Sequence, residues 1–236
     1  SPASNTFDVQ DIPAISKAAG KAGAVVMMDN TWATPLYFRP LQHGVDISIH
    51  AATKYPGGHS DVLLGTVSAN REHWQRLHDG FITLGCCPAP DDVYQVLRGL
   101  RTMGIRLEHH RKSALDIAGW LETCPGVSRV LHPALPSHPD HAIWQRDFSG
   151  SSGIFSIVLA GGGQNQAHAF LDALRIFGLG YSWGGYESLA VPVSLADRTI
   201  ASGPYEGPVI RLQIGLEDVE DLKADIRQGL EAAAAV

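Results

Sequence analysis

Residues 50–61, HAATKYPGGHSD, hold a single lysine, Lys54, between a run of small residues and a Gly-Gly turn. An acid, Asp29, closes an earlier apolar run, AVVMMD. A lysine and a carboxylate at the ends of two successive apolar runs match the needs of one cofactor, pyridoxal phosphate. Its aldehyde takes a lysine amine, and its ring nitrogen needs a carboxylate beside it to stay protonated and draw electrons. The lysine must then work well below its ordinary pKa of about 10.4, which an apolar strand end promotes. Thr53, next to the lysine, offers a hydroxyl suited to a phosphate. Each residue also has a plainer use. Lys54 can lay its stem on the surface, Asp29 can serve as a turn carboxylate before Asn30 and Thr31, and Thr53 can be an ordinary strand residue. The local pattern keeps both uses open.

The surrounding elements decide whether the two groups can meet. Residues 8–22 repeat apolar side chains at Val9, Ile12, Ile15 and Ala19, a helical spacing that Gly23 stops. AVVMMDN (24–30), VDISIHAA (45–52) and LLGTVSA (63–69) read as strands, the first apolar enough to be buried on both faces. Alternation of helix and strand predicts an α/β fold with a mostly parallel sheet, whose strand ends carry ligands. From Pro90 the texture changes. Residues 90–124 predict one or two helices broken near Gly99 or Gly104. VSRVLHP, GIFSIVLA and PVIRLQIG read as strands, and QAHAFLDALRIF as a helix. Residues 218–235 read as a final amphipathic helix capped by Asp218. A smaller C-terminal α/β domain with helices on one face is expected.

On these residues the chain resembles the Cys/Met-metabolism family of pyridoxal-phosphate enzymes, which holds gamma-synthases, gamma-lyases and beta-lyases. The resemblance rests on VVMMDNTWATP and DISIHAATKYPGGHSDVLLG. It continues through DDVYQVLRGLRTMGIRLEHH, VLHPALP, RDFSGSSGIFSIVL, GLGYSWGGYESL and IRLQIGLEDVEDL. It implies part of an aspartate-aminotransferase-like (fold type I) large domain over residues 1–95 and a smaller domain over 96–236, with a bridging helix near 90–123. It implies Lys54 as the lysine that bonds the cofactor and carries protons, Asp29 as the ring-nitrogen partner and Thr53 as a phosphate ligand. Where several relatives have a second phosphate-binding serine, this chain has Ala51. Arg211 matches the arginine that grips the substrate α-carboxylate, as a planar, always-charged fork suits. Ser182 and Trp183 match residues beside that carboxylate, with Tyr181 next to them.

Within the family, YSWGGYES resembles the beta-lyase members, because gamma-type members usually have Leu at the place of Trp183. Ser4 points the same way, standing where gamma-type members carry an Asn that faces the cofactor's phenolic oxygen. The implied activity is beta-elimination of L-cystathionine to homocysteine, pyruvate and ammonia, a step of methionine biosynthesis. The alternatives are gamma-elimination or gamma-replacement on the same scaffold, or a non-catalytic fragment acting as a binding or oligomerisation module. The implied partners are an amino-acid thioether and further copies of the chain, as a homotetramer.

The remaining features narrow the field. A formal charge of −6 gives no electrostatic footprint for nucleic acid or an anionic membrane, and no apolar run approaches the roughly 20 residues of a membrane helix. His109 with His110, and the HPDH of 138–141, lack the further clustered ligands of a metal site. GLGYSWGG lacks the spacing of a dinucleotide loop. His59 reads as a turn or packing residue. Cys86, Cys87 and Cys124 are too few for a disulfide framework and suit reduced thiols in a cytoplasmic protein. The opening SPASNTFDVQD reads as the interior of a longer protein. In the family, the part before it would hold a Gly-containing phosphate loop and a tyrosine that stacks on the cofactor.

Overall fold

The computed structural model describes residues 1–196, 198 and 205–236. Helix α1 (Ile12–Lys21) begins where Asp11 accepts the Ala14 N–H at 3.1 Å. Strand β1 (Met27–Asp29), the short helix α2 (Thr34–Tyr37) and a 3-10 turn (Pro40–His43) lead to β2 (Ile47–Ala51) and β3 (Gly65–Ala69). Strands β1 and β2 are parallel, pairing Asp29 with Ile49, whereas β3 runs antiparallel to β2. The described sheet is therefore mixed rather than mostly parallel. A parallel return needs a crossover, usually helical, and residues 52–64 contain only turns.

Helix α3 (Trp74–Leu84) follows, an element that the periodicity reading passes over. The long helical stretch then resolves into two helices, α4 (Pro90–Leu100) and α5 (Met103–Leu121), with the break at Arg101 and Thr102, between the two candidate glycines. The remaining elements are β4 (Val127–Leu131), α6 (His141–Asp147), β5 (Ile154–Leu159), α7 (Gln164–Ala173), β6 (Gly178–Leu179), β7 (Leu189–Val193), β8 (Val209–Gln213) and α8 (Val219–Ala234). Asp218 caps α8, accepting from the N–H groups of Glu220 and Asp221.

The second sheet has the order β4-β5-β8-β7-β6, antiparallel except for the short β6–β7 pair. Strand β7 carries Pro192, which ordinarily argues against an interior strand. Here β6 pairs only with Leu189 and Ala190, so at Pro192 the strand behaves as an edge on that side. Helices α5, α7 and α8 cover one face through Ile117, Leu121, Phe170, Leu222 and Ile226. The other face meets Phe7, Trp32 and Phe38 from the first part of the chain, so one apolar layer joins both sheets. Asp225 on α8 anchors the chain before β6. Its carboxylate accepts the N–H groups of Arg175, Ile176 and Phe177 at 2.8, 2.8 and 3.0 Å.

Four buried histidines, His50, His110, His132 and His138, make the fold acid-sensitive, each with its pKa pushed down first by burial. Burial holds His50 and His110 down to about 4 and His132 to about 3. In the unfolded chain each returns to about 6.5, so between these values the unfolded state binds protons that the native state does not. Stability is thus complete above pH 6.5 and is lost as pH falls through the folded values. Each histidine adds a slope of up to about 1.4 kcal/mol per pH unit. Urea midpoints should be flat from pH 7 to 8 and fall steeply between pH 6.5 and 4.5. A midpoint that holds to pH 5 would contradict the neutral burial of these rings.

Candidate active site

Asp29 ends β1, and Lys54 lies in the turn just beyond β2, so the parallel β1–β2 pair brings both to one edge of the first sheet. The turn is tight. The N–H of Lys54 bonds Ala51 O at 3.0 Å, and those of Gly57 and Gly58 bond Ala52 O and Lys54 O at 2.8 and 2.7 Å. Arg211 comes from the second sheet, in the middle of β8, between Ser156 of β5 and Val191 of β7. Trp183 sits in the loop between β6 and β7. Together with Ser4, Asn5, Thr31, Trp32, Ala51 and Ile154, these residues line one cavity of about 390 Å3, a size ordinary for a small-molecule site.

Lys54 is half-buried. Its Nζ donates to Ser182 Oγ at 2.9 Å and stands 5.4 Å from the centre of the Trp183 ring. Burial, and then the nearby Arg211 guanidinium, push its pKa down, which raises the fraction of neutral amine. Asp29 does two things. One oxygen accepts the Thr31 N–H at 2.8 Å, the turn role expected of Asp before Asn-Thr, while the side chain also lines the cavity. Arg211 donates Nη2 to the Tyr181 carbonyl at 2.6 Å and Nη1 to Asn5 Oδ1 at 3.5 Å. Among the described residues no carboxylate lies within ion-pair distance of Arg211.

The sequence-derived candidates therefore do not all meet. Lys54, Asp29, Ser4, Trp183 and Arg211 share the cavity wall. Ser182 touches the Lys54 amine, and Tyr181 contributes its backbone carbonyl while its ring is exposed. Thr53 lies behind the lysine, with its hydroxyl accepting the Leu64 N–H at 3.0 Å, outside the cavity lining. Reading by motif missed Trp32, whose Nε1 donates to Ile154 O at 3.1 Å and holds that side of the wall. A Trp three residues beyond a candidate acid was the available signal. His59 sits in the turn, 2.7 Å from Gly57 O. His110 bonds Ile214 O, His138 accepts from the Asp140 N–H and His141 bonds Pro133 O. Among the described residues no group of three His, Cys, Asp or Glu side chains could hold a metal ion.

A family description, Cys/Met metabolism PLP-dependent enzyme, matches residues 1–231. The chain belongs to this family. It is 71% identical to a Rhizobium johnstonii protein provisionally named as a cystathionine beta-lyase, over 100% of this chain and 60% of that one. It is 46% identical to cystathionine beta-lyase MetC of Escherichia coli, over 97% of this chain and 60% of that one. The cystathionine gamma synthase of Xanthomonas oryzae pv. oryzae, solved in complex with aminoacrylate and cysteine, superposes with a TM-score of 0.92 at 39% identity. That match covers 100% of this chain and 62% of the solved one. The chain thus spans about 60% of the length of the curated relatives it matches.

The Cys/Met metabolism enzymes are pyridoxal-phosphate dependent, and the wall described above suits two ends of that group. A primary amine lowered by burial suits its aldehyde, and a carboxylate in the same cavity suits its ring nitrogen. The only Lys and Arg among the described lining residues are Lys54 and Arg211.

Proposed function

We propose that the protein is a carbon–sulfur lyase that cleaves L-cystathionine by beta-elimination, with Lys54 as the proton carrier and Arg211 as the carboxylate clamp. The observation that carries this is the meeting of a lowered lysine and a half-buried arginine without a carboxylate partner among the described residues in one cavity that Asp29 also lines. Pyridoxal phosphate, when bound, supplies the sink for the electron pair left at Cα. Lys54 would bind its aldehyde, and Asp29 would hold the ring-nitrogen proton. Arg211 grips the substrate α-carboxylate and so fixes which Cα bond faces the lysine. The neutral Lys54 amine takes the Cα proton, and the resulting ammonium stands ready to return a proton to the departing sulfur. The Cβ–S bond breaks with its electron pair on sulfur. With one water consumed, the products balance as homocysteine, pyruvate and ammonia. Trp183 and Ser4 support the beta over the gamma reaction.

The deciding experiment feeds L-cystathionine to the intact protein and identifies the keto acid and the thiol. Pyruvate with an equal amount of homocysteine is expected. The four-carbon keto acid 2-oxobutyrate with cysteine would move the protein to gamma-elimination, the reaction class suggested by its likeness to a mouse cystathionine gamma-lyase at 40% identity. No consumption at all would favour the non-catalytic module. The same reading carries a homotetramer in the cytoplasm and a domain division near residues 95 and 96. Light scattering of the intact protein tests the assembly.

Asp29→Asn should retain the cofactor and lose most of kcat, since the amide is a neutral partner for the ring nitrogen. Loss of one charge-assisted bond, about 1.5–3 kcal/mol, corresponds to a fall of about ten- to a hundredfold. The turn bond to Thr31 survives in the amide oxygen, so the melting temperature should move little. An unchanged kcat would leave Asp29 with its turn role alone.

A further inference from the structure

The turn that carries Lys54 is held from below by a buried arginine, Arg106, in the first turns of α5. Its Nη2 donates to Tyr55 O at 2.8 Å and to Gly99 O at 2.7 Å, with Pro56 O at 3.5 Å, and its Nε donates to Thr102 Oγ1 at 3.1 Å. It is only 8% exposed, and among the described residues no carboxylate stands within ion-pair distance of it. Burying a cation without a counter-charge costs several kcal/mol. Nη2 ties carbonyls from two segments and Nε a hydroxyl, all from one rigid plane, which offsets part of that cost although Nη1 stays buried without a hydrogen-bond partner among the described residues. A lysine lacks that planar two-nitrogen geometry.

The two segments touch without room to spare. A Cβ built on Gly58, at φ +72°, would lie 1.9 Å from Arg106 Nη1, and one on Gly99 would lie 2.1 Å from Gly57 O. Above this clamp the Tyr55 ring is fully buried. Its hydroxyl accepts the Gly153 N–H at 2.9 Å, and its ring meets Trp183 edge-on at 5.7 Å. The peptide after Lys54 is thus pinned on one side to α4 and α5 and on the other to the second sheet, which bears Arg211.

We propose that Arg106 is a positioning residue for Lys54: by holding the carbonyls of Tyr55 and Gly99 together, it fixes where the lysine amine enters the cavity. The proposal rests on the reading of Lys54 as the reacting amine. A displacement of the amine by about 1 Å is enough to cost about a hundredfold in rate.

The test needs a readout separate from turnover. Acetylation of Lys54 by acetic anhydride in the cofactor-free intact protein, followed across pH by peptide mass spectrometry, reports the neutral fraction of the amine. The charged groups facing it are Arg211 from β8 and Asp29 from β1, and neither is altered. Arg106→Lys should move the Lys54 midpoint up toward that of an ordinary exposed lysine. It should also lower kcat of the loaded enzyme by about ten- to a hundredfold with KM nearly unchanged. Asp218→Ala, which removes the N-cap of α8, should lower the melting temperature while leaving midpoint and kcat alone. If Arg106→Lys lowers only the melting temperature, as Asp218→Ala does, the proposal is overturned. Should Arg106→Lys fail to fold, Thr102→Val decides. It removes the Nε partner together with the hydroxyl's own bond to Gly99 O at 3.2 Å, so it loosens the same clamp, and its Lys54 midpoint must rise for the proposal to stand. If Lys54 were not the reacting group, kcat would be indifferent to Lys54→Ala while the labelling midpoint still moved with Arg106.

Discussion

Lys54→Ala is expected to abolish pyruvate release from L-cystathionine while leaving the protein folded. The same amine is proposed to hold the cofactor aldehyde, take the Cα proton and return one to sulfur, so no neighbour can compensate. Positioned proton transfer alone contributes about 10²- to 10⁴-fold, and with cofactor attachment lost as well the residual rate should lie at or below the bottom of that range. Stability should hardly change. The side chain is half-buried, its bond to Ser182 is at the cavity surface, and its removal relieves the repulsion from Arg211. The borohydride-sensitive absorbance near the visible edge, present when a lysine holds the cofactor, should vanish together with turnover. Release of pyruvate at a near-native rate would remove Lys54 from the reaction.

Arg211→Ala should produce the second largest loss. The guanidinium is half-buried, and burial pushes its pKa down. It is anchored by the Tyr181 carbonyl and lacks a carboxylate partner among the described residues, so a substrate carboxylate is the natural anion for it. Two charge-assisted hydrogen bonds at about 1.5–3 kcal/mol each translate into about 10²- to 10⁴-fold in kcat/KM. Arg211→Lys keeps the charge but not the fork, and should recover part of the loss, remaining about ten- to a hundredfold below the native enzyme. Part of the effect should appear in kcat, because the carboxylate orients the bond to be broken. The absorbance of the lysine-bound cofactor should stay normal in both variants. Unaltered kinetics with cystathionine would end the clamp role, whereas loss of that absorbance would make Arg211 a support of the cavity.

Much of this protein is written locally. The helical spacing and Asp11 cap of α1, the Asp218 cap of α8 and the apolar runs of β2, β5 and β8 follow from periodicity and capping, which act over a few residues. Lys54 and Asp29 were also legible, because a strand end is a local feature and a lone lysine among small residues is conspicuous. What the sequence could not decide was who meets whom. The antiparallel course of β3 depends on how residues 52–64 return, and β7 is a strand despite Pro192 because its β6 partner stops short. The approach of Arg211 to Lys54 joins residues from two sheets, and only the shared apolar layer of Phe7, Trp32 and Phe38 against Ile154 and Val209 sets that distance. Folding gives the Thr53 hydroxyl the Leu64 N–H as a partner, and burial places Arg106 under the lysine turn, neither of which short-range pattern reveals. Residue type and short-range pattern specify which groups can react. Burial of distant apolar surface, which is non-directional and spans the whole chain, decides which of them share a cavity.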